Sequence, residues 1–179
     1  PKGAILTHDN LVFEINSIKT GVQSHQDGNE VVVSYLPLAH MSGQLQDILI
    51  SIRTGATVYF ADRNAFKGSL IDTLKEARPT SFGSVPRLFE KFYERISHIL
   101  AETSGVKRTL VDWARKVTLQ YHLDLLNGRN PSTFQYEIAQ KLVINKIKQG
   151  LGFDRTRVFF VGASPLSIDI LHFFLSLDI

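Results

Sequence analysis

Glu30-Val31-Val32-Val33-Ser34-Tyr35-Leu36-Pro37-Leu38-Ala39-His40-Met41-Ser42-Gly43 is the stretch on which the fold turns. Val31–Tyr35 is a β-branched, unbroken apolar run, the pattern of a strand buried on both faces of a parallel sheet. Pro37 cannot donate to a sheet ladder and ends that strand, and a helix is expected beyond Ser42. Downstream, Thr57-Val58-Tyr59-Phe60 reads as a second strand and Thr80-Ser81-Phe82-Gly83 as a third. Leu70, Ile71 and Leu74 between them mark a short crossover helix. Upstream, Leu11, Ile15, Ile18 and Val22 recur at helical spacing, so a helix is expected over Asp9–Val22 with Thr7 or Asp9 as its cap. Alternating strands and helices predict a layered α/β fold with a partly parallel sheet.

Beyond Pro86 the texture changes. Residues 86–150 read as a helical insertion, with Pro86 in the first turn of a helix, where its missing N–H costs nothing. Leu88, Phe92, Ile96 and Ile99 form one stripe, and Leu110, Ala114, Val117, Tyr121 and Leu125 a second. Ile138, Leu142 and Lys146, with Val143 and Ile147, form a third. Gly105, Gly128-Arg129-Asn130-Pro131 and Gly150-Leu151-Gly152 are the breaks. Arg157–Val161 then reads as a strand, Gly162-Ala163-Ser164-Pro165 as a turn and Ser167–Leu177 as a helix. No internal repeat is present.

The bulk figures fit one ordinary domain: 179 residues, 44% hydrophobic, 21% charged, formal net charge +3. The basic residues are interleaved with acidic ones rather than clustered, so a nucleic-acid partner is not expected. Lys107, Arg108, Arg115 and Lys116, then Lys141, Lys146 and Lys148, read as solvated helix faces, with an electrostatic contact to anionic lipid or a phosphorylated cofactor as the alternative. There are no cysteines, which removes disulfides, thiolate nucleophiles and Cys-ligated zinc. His8, His25, His40, His98, His122 and His172 are scattered, with no metal-binding spacing, so no metal site is expected. Val158–Leu177 is the most apolar window, but Pro165, Asp169 and His172 interrupt it, and a membrane-spanning helix is not expected. The chain opens on Pro1-Lys2-Gly3 without an initiator Met and stops in apolar sequence, so it is expected to be an internal piece truncated at both ends.

Local features with chemical meaning are found at three places. Lys2-Gly3 precedes a helix, where a lysine beside flexible backbone meets a phosphate or is simply solvated. His40 lies in a loop beyond a strand's carboxyl end, where open α/β sheets bind ligands; it either meets a ligand or is tied to backbone. Gly162-Ala163-Ser164-Pro165-Leu166 follows a strand as a hydrolase nucleophile elbow would. Leu166 takes the last glycine position, however, and Pro165 has no N–H to offer an oxyanion. The hydrolase reading fails. Such a small-residue turn suits a flat ligand lying directly on backbone.

Together these features resemble the adenylate-forming (AMP-binding) superfamily. Pro1–Asn10 is similar to the end of its phosphate loop and the helix that follows, Tyr35–His40 to its next motif, and Gly162–Ser167 to its adenine-contacting turn. The connecting segments Glu30–His40, Lys67-Gly68-Ser69-Leu70, Pro79-Thr80-Ser81 and Val85–Lys91 resemble long-chain acyl-CoA synthetases of the bubblegum type. The resemblance implies a fragment of the large N-terminal adenylation domain, spanning residues 1–179. It further implies ATP, Mg²⁺ and CoA as cofactors and co-substrates, and a long-chain fatty acid as substrate. Lys2, Gly3, Gly162, Ala163, Ser164 and Pro165 would bind ATP or AMP, and His40, Val85 and Pro86 would line the acyl pocket. A cytoplasmic parent enzyme is implied, peripheral at the endoplasmic reticulum or another membrane.

The chain departs from the family pattern in places. The Ser/Thr/Gly half of the phosphate loop, the Tyr-Gly-x-Thr/Ser-Glu motif and the C-terminal catalytic lysine are not in it, so no complete catalytic set is expected and the isolated piece is expected to be inactive. Ala163 and Ser164 stand where many relatives carry Gly-Ala. A non-catalytic nucleotide- or acyl-binding remnant and a helical interaction module are the alternatives.

Overall fold

The computed structural model describes residues 3, 5–21, 28–162 and 164–179, with the side chains of 19–21 left aside. It falls into two compact units, residues 1–82 with 155–158 and residues 83–154 with 159–179.

The first unit opens with helix α1, His8–Gly21. Thr7 starts it: the Asn10 N–H donates to Thr7 Oγ1 (3.2 Å) and the Thr7 N–H to Asn10 Oδ1 (3.0 Å). This is a reciprocal capping box with Asn in place of Glu or Gln. Val22, the expected end of the helix, lies outside the described residues. Strand β1, Val31–Ser34, is followed by a continuous helix α2 over residues 41–54, composed of Met41–Gly43, a π-helical stretch Gln44–Ile50 and Ser51–Thr54. Gly55 ends α2 in the left-handed region, φ 65°, a conformation that suits a residue without Cβ. Helix α2 is the crossover to β2, Thr57–Phe60, which pairs with β1 in parallel, Val31 opposite Thr57 and Ser34 opposite Phe60. Parallel neighbours require such a crossover. A short 3₁₀ turn, Ala65–Lys67, and helix α3, Leu70–Ala77, follow.

Thr80 is the polar centre of this unit. Its N–H donates to the Val31 carbonyl (2.9 Å), and its carbonyl accepts from the Arg157 N–H (2.8 Å). Its hydroxyl donates to buried Glu30, whose other oxygen accepts from the Arg157 guanidinium at 2.6 Å. Tyr35 ends the strand early by turning its ring into the core, stacked on Phe82 with centroids 5.7 Å apart. Val32, Val33, Leu70 and Leu74 complete that core. β2 is less buried than β1, with Phe60 70% exposed.

The boundary between the units runs through β3, Ser81–Ser84, and β4, Val158–Val161. Helix α4, Pro86–Ala101, α5, Gly105–Leu126, and α6 over residues 133–151, with a π-helical stretch Gln140–Ile144, lie in the second unit. Helix α7, Ile168–Leu175, closes the chain. Its core is aromatic: Phe89 meets Phe174 edge-on at 5.1 Å, Tyr93 meets Phe173 at 4.7 Å and Phe153 meets Phe159 at 5.2 Å. A second cluster joins Val111 and Ala114 of α5 to Ala139, Val143 and Ile144 of α6.

The π stretch of α6 corrects two expectations. Each π turn takes in an extra residue, so the apolar face shifts: Val143 and Ile144 are buried and Leu142 is exposed. Lys148, expected on a solvated face, is turned inward and is only 8% exposed. Arg115 is likewise not simply solvated. It lies 4.7 Å over the Phe173 ring and donates to Ser176 Oγ at 3.0 Å.

Candidate functional site

The loop between β1 and α2 is held at several points. The His40 N–H donates to the Pro37 carbonyl at 2.8 Å, closing a turn. His40 has extended backbone (φ −87°, ψ 137°) and its Nδ1 accepts from the Ser42 N–H at 3.3 Å, so it caps α2. An accepting Nδ1 carries the lone pair, which leaves the proton on Nε2 and aims an N–H donor away from the helix. His40 is thus both tied to backbone and exposed, with one ring nitrogen still available. Gly43 makes this possible, since a Cβ there would stand 2.9 Å from the Pro37 oxygen.

The next turn of the same helix holds a residue that sequence reasoning passed over. Asp47 lies in the π stretch and is 7% exposed. Burial pushes its carboxyl up to about 6, and a hydrogen bond from the Ser34 hydroxyl offsets only part of that rise. Its Oδ2 is buried with no hydrogen-bond partner. A lone aspartate immediately before the apolar run Ile48-Leu49-Ile50 was the available signal.

In the second unit the structure brings the β3–α4 and β4–α7 turns together. The Gly162 N–H donates to the Ser84 carbonyl at 3.0 Å. Val85, half-buried and extended, and Pro86, buried at the start of α4, therefore lie beside the turn that holds Ser164 and Pro165. Both turns leave the carboxyl ends of strands, where α/β sheets bind ligands. The Phe160 ring lies over Gly83 so closely that a Cβ there would fall 2.0 Å from it. Gly162 is the opposite case: a Cβ would meet nothing within 4 Å. Gly162, Ser164 and Pro165 are exposed, so this turn offers open backbone to a flat ring. The Ser164 N–H donates to the Gly162 carbonyl (3.1 Å), and Ser167 caps α7 by accepting from the Ile170 N–H (3.4 Å). Gly3 lies in exposed chain with nothing near it. Lys2 and Ala163 lie outside the described residues.

The end of α7 carries a polar cluster. Asp178, in the left-handed region at φ 59°, accepts at Oδ1 from Tyr136 Oη and lies against His122 Nε2, both at 2.9 Å. Lys148 Nζ donates to Asp178 Oδ2 and to its backbone oxygen, also at 2.9 Å. Burial pushes the Asp178 carboxyl up, but hydrogen bonds from His122, Lys148 and Tyr136 outweigh it and bring it down to about 2. Among the described residues no group of three or more His, Cys, Asp or Glu side chains could hold a metal ion.

The chain matches curated proteins along its full length. It is 42% identical over 181 residues to a long-chain-fatty-acid–CoA ligase of Xenopus laevis, covering 100% of this chain and 24% of the relative. It is 38% identical over 179 residues to a human one and 40% identical over 182 residues to the Drosophila melanogaster ligase heimdall, in each case 100% of this chain and 27% of the relative. The chain thus spans about a quarter of the length of these relatives. Among solved structures, the A domain of a carboxylic acid reductase from Segniliparus rugosus, in complex with AMP and a co-purified carboxylic acid, shares the fold. That match has a TM-score of 0.60 at 21% identity and covers 99% of this chain and 24% of the other. The description of the AMP-binding enzyme family matches residues 1–178, and with the α/β architecture and the paired turns at the strand ends, the chain belongs to that family.

Proposed function

We propose that this chain is a section of the adenylation domain of a long-chain fatty acid–CoA ligase. In the reaction, a fatty acid carboxylate oxygen attacks the α-phosphorus of ATP, forming an acyl-adenylate and expelling pyrophosphate. The CoA thiolate then attacks the acyl carbon, forming the thioester and expelling AMP. The observation that carries this reading is the likeness of the whole chain, at about 40% identity, to ligases of that name.

The open backbone of Gly162, Ser164 and Pro165 suits the flat face of adenine, and Ala163, between them in sequence, is assigned to the same ligand. Val85 and Pro86, beside that turn, and His40, with its outward Nε2–H, are assigned to the acyl side. Lys2 and Gly3 are assigned to the phosphates of ATP. The described residues offer no ligand set for Mg²⁺, which would accompany the ATP phosphates, and no step is routed through it. Catalysis of this kind rests on positioning and on stabilising charge, and this chain supplies part of the cradle rather than a complete catalytic set. Among the described residues no helix is long and apolar enough to cross a membrane. A long-chain acyl substrate would place the enzyme in the cytoplasm at a membrane surface, such as that of the endoplasmic reticulum.

The test is palmitate-dependent exchange of labelled pyrophosphate into ATP by the longer polypeptide carrying this segment. Gly162→Ala should raise the KM for ATP about tenfold, on the order of 1.4 kcal/mol, with the fold intact because the added Cβ meets no protein atom within 4 Å. Exchange without fatty acid dependence, or none at all, would overturn the reading. The isolated 179-residue chain is expected to form no acyl-CoA.

A further inference from the structure

We propose that the groove between α5 and the start of α6 binds a long-chain fatty acid, with the carboxylate at Lys116 and the acyl chain along Trp113, Tyr121, Phe134 and Tyr136. The groove has a volume of about 640 Å³, inside the range of about 300–1,000 Å³ typical of small-molecule sites. It lies within the second unit and shares no residue with the turns assigned above to nucleotide and acyl group. The site therefore goes beyond the ligase reading, and binding there needs no turnover.

The shape of the groove follows from helical spacing. Trp113, Lys116, Val117, Gln120, Tyr121 and Asp124 line it from α5, and residues so spaced share one face of a helix. Those three turns run about 16 Å, a trough that suits an extended chain better than a compact ring. Its aromatic wall is fixed without any ligand. Tyr136 stacks on Tyr121 with centroids 3.9 Å apart and planes 13° apart, and its hydroxyl donates to Asp178 at 2.9 Å. Trp113 and Val117 pack against the core cluster shared by α5 and α6. Such a wall gives up little side-chain freedom on binding. Phe134, by contrast, is 70% exposed, and an acyl chain would cover apolar surface that the protein leaves bare.

Charge selects the head group. Asp124, the carboxylate in the lining, is already engaged, its Oδ1 accepting from Arg129 at 3.0 Å and from Gln120 Nε2 at 3.1 Å. Lys116 is exposed and has no ion pair among the described residues. One lysine matches one carboxylate. A head group with several phosphates, as in acyl-CoA, would call for more cations than this lining holds.

The test uses the longer polypeptide and palmitate carrying a photoreactive diazirine at its chain end, with the adduct located by mass spectrometry. Label should fall within residues 113–136 and be displaced by excess palmitate. Lys116→Glu and Phe134→Asp, both at exposed positions, should each cut this labelling about tenfold while leaving the thermal transition in place. No label in that segment, label indifferent to excess palmitate, or label undiminished in either variant would overturn the inference. Hexadecanol displacing the probe as well as palmitate does would also overturn it, because Lys116 would then have no role. Palmitoyl-CoA displacing the probe better than palmitate would do the same, because the occupant would then be the thioester. A failure of palmitate-dependent pyrophosphate exchange would instead sink the ligase reading and leave the labelling to decide this one.

Discussion

Each unit buries a carboxylate, Asp47 in the first and Asp178 in the second, and the two are treated in opposite ways. In the second unit Asp178 is met by Tyr136, His122 and Lys148, drawn from α5 and α6. In the first unit Asp47 has a buried Oδ2 with no hydrogen-bond partner. The first unit is capable of satisfying a charge, since Glu30 is paired with Arg157 and Thr80. The contrast is therefore between roles. A carboxylate that ties elements together needs every oxygen used, because a buried unpaired charge is costly. One left partly unsatisfied persists only at a cost to stability.

The largest effect that would sharpen this contrast is Asp178→Ala. It would leave Lys148 buried without its counter-ion, and the loss should be about 3–5 kcal/mol in urea denaturation. The folded Asp178 carboxyl lies below its unfolded value, so its contribution is fully present above about pH 4. It should fade as the pH falls toward 2. A loss under about 1 kcal/mol would mean the cluster is not a tie.

Arg157→Ala comes next. It would strip buried Glu30 of its guanidinium, but Arg157 is itself partly exposed, so the loss should be smaller, about 3 kcal/mol at most. A thermal or urea transition unchanged by this substitution would show that Glu30 does not depend on the guanidinium.

Asp47→Asn is the smallest effect and carries the opposite sign. A carboxyl raised to about 6 holds its proton longer in the folded state, so this group destabilises the fold increasingly as pH rises from about 4 to 6. The neutral amide should therefore stabilise by about 2 kcal/mol at pH 7 and by almost nothing below about pH 4. Destabilisation at pH 7 would place an unseen partner on Oδ2 and erase the contrast with Asp178.

Much of the fold was legible in the sequence because its signals are local. Val31-Val32-Val33 with Pro37 beyond it defines a buried strand and its end, and Thr7 with Asn10 marks a helix start from a few adjacent side chains. The small-residue run at Gly162 announced a turn with open backbone. The π stretches were not legible, since no composition signals them and they move a whole face of the helix. Lys148 was misread for that reason. Asp47 escaped notice because one carboxylate beside an apolar run says nothing until its neighbours are known.

By itself the sequence determined the alternation of strands and helices, the motif-bearing turns at strand ends and, through residue-by-residue likeness, the family. Each depends on periodicity, on backbone limits such as those of proline and glycine, or on direct identity. Only the tertiary structure decided that Gly162 hydrogen-bonds to Ser84, that Thr80 clasps Glu30 and Arg157, and that Asp178 gathers three side chains from 30 to 56 residues away. Those pairings join positions far apart in the chain, and their free energy comes from burial that no local window contains.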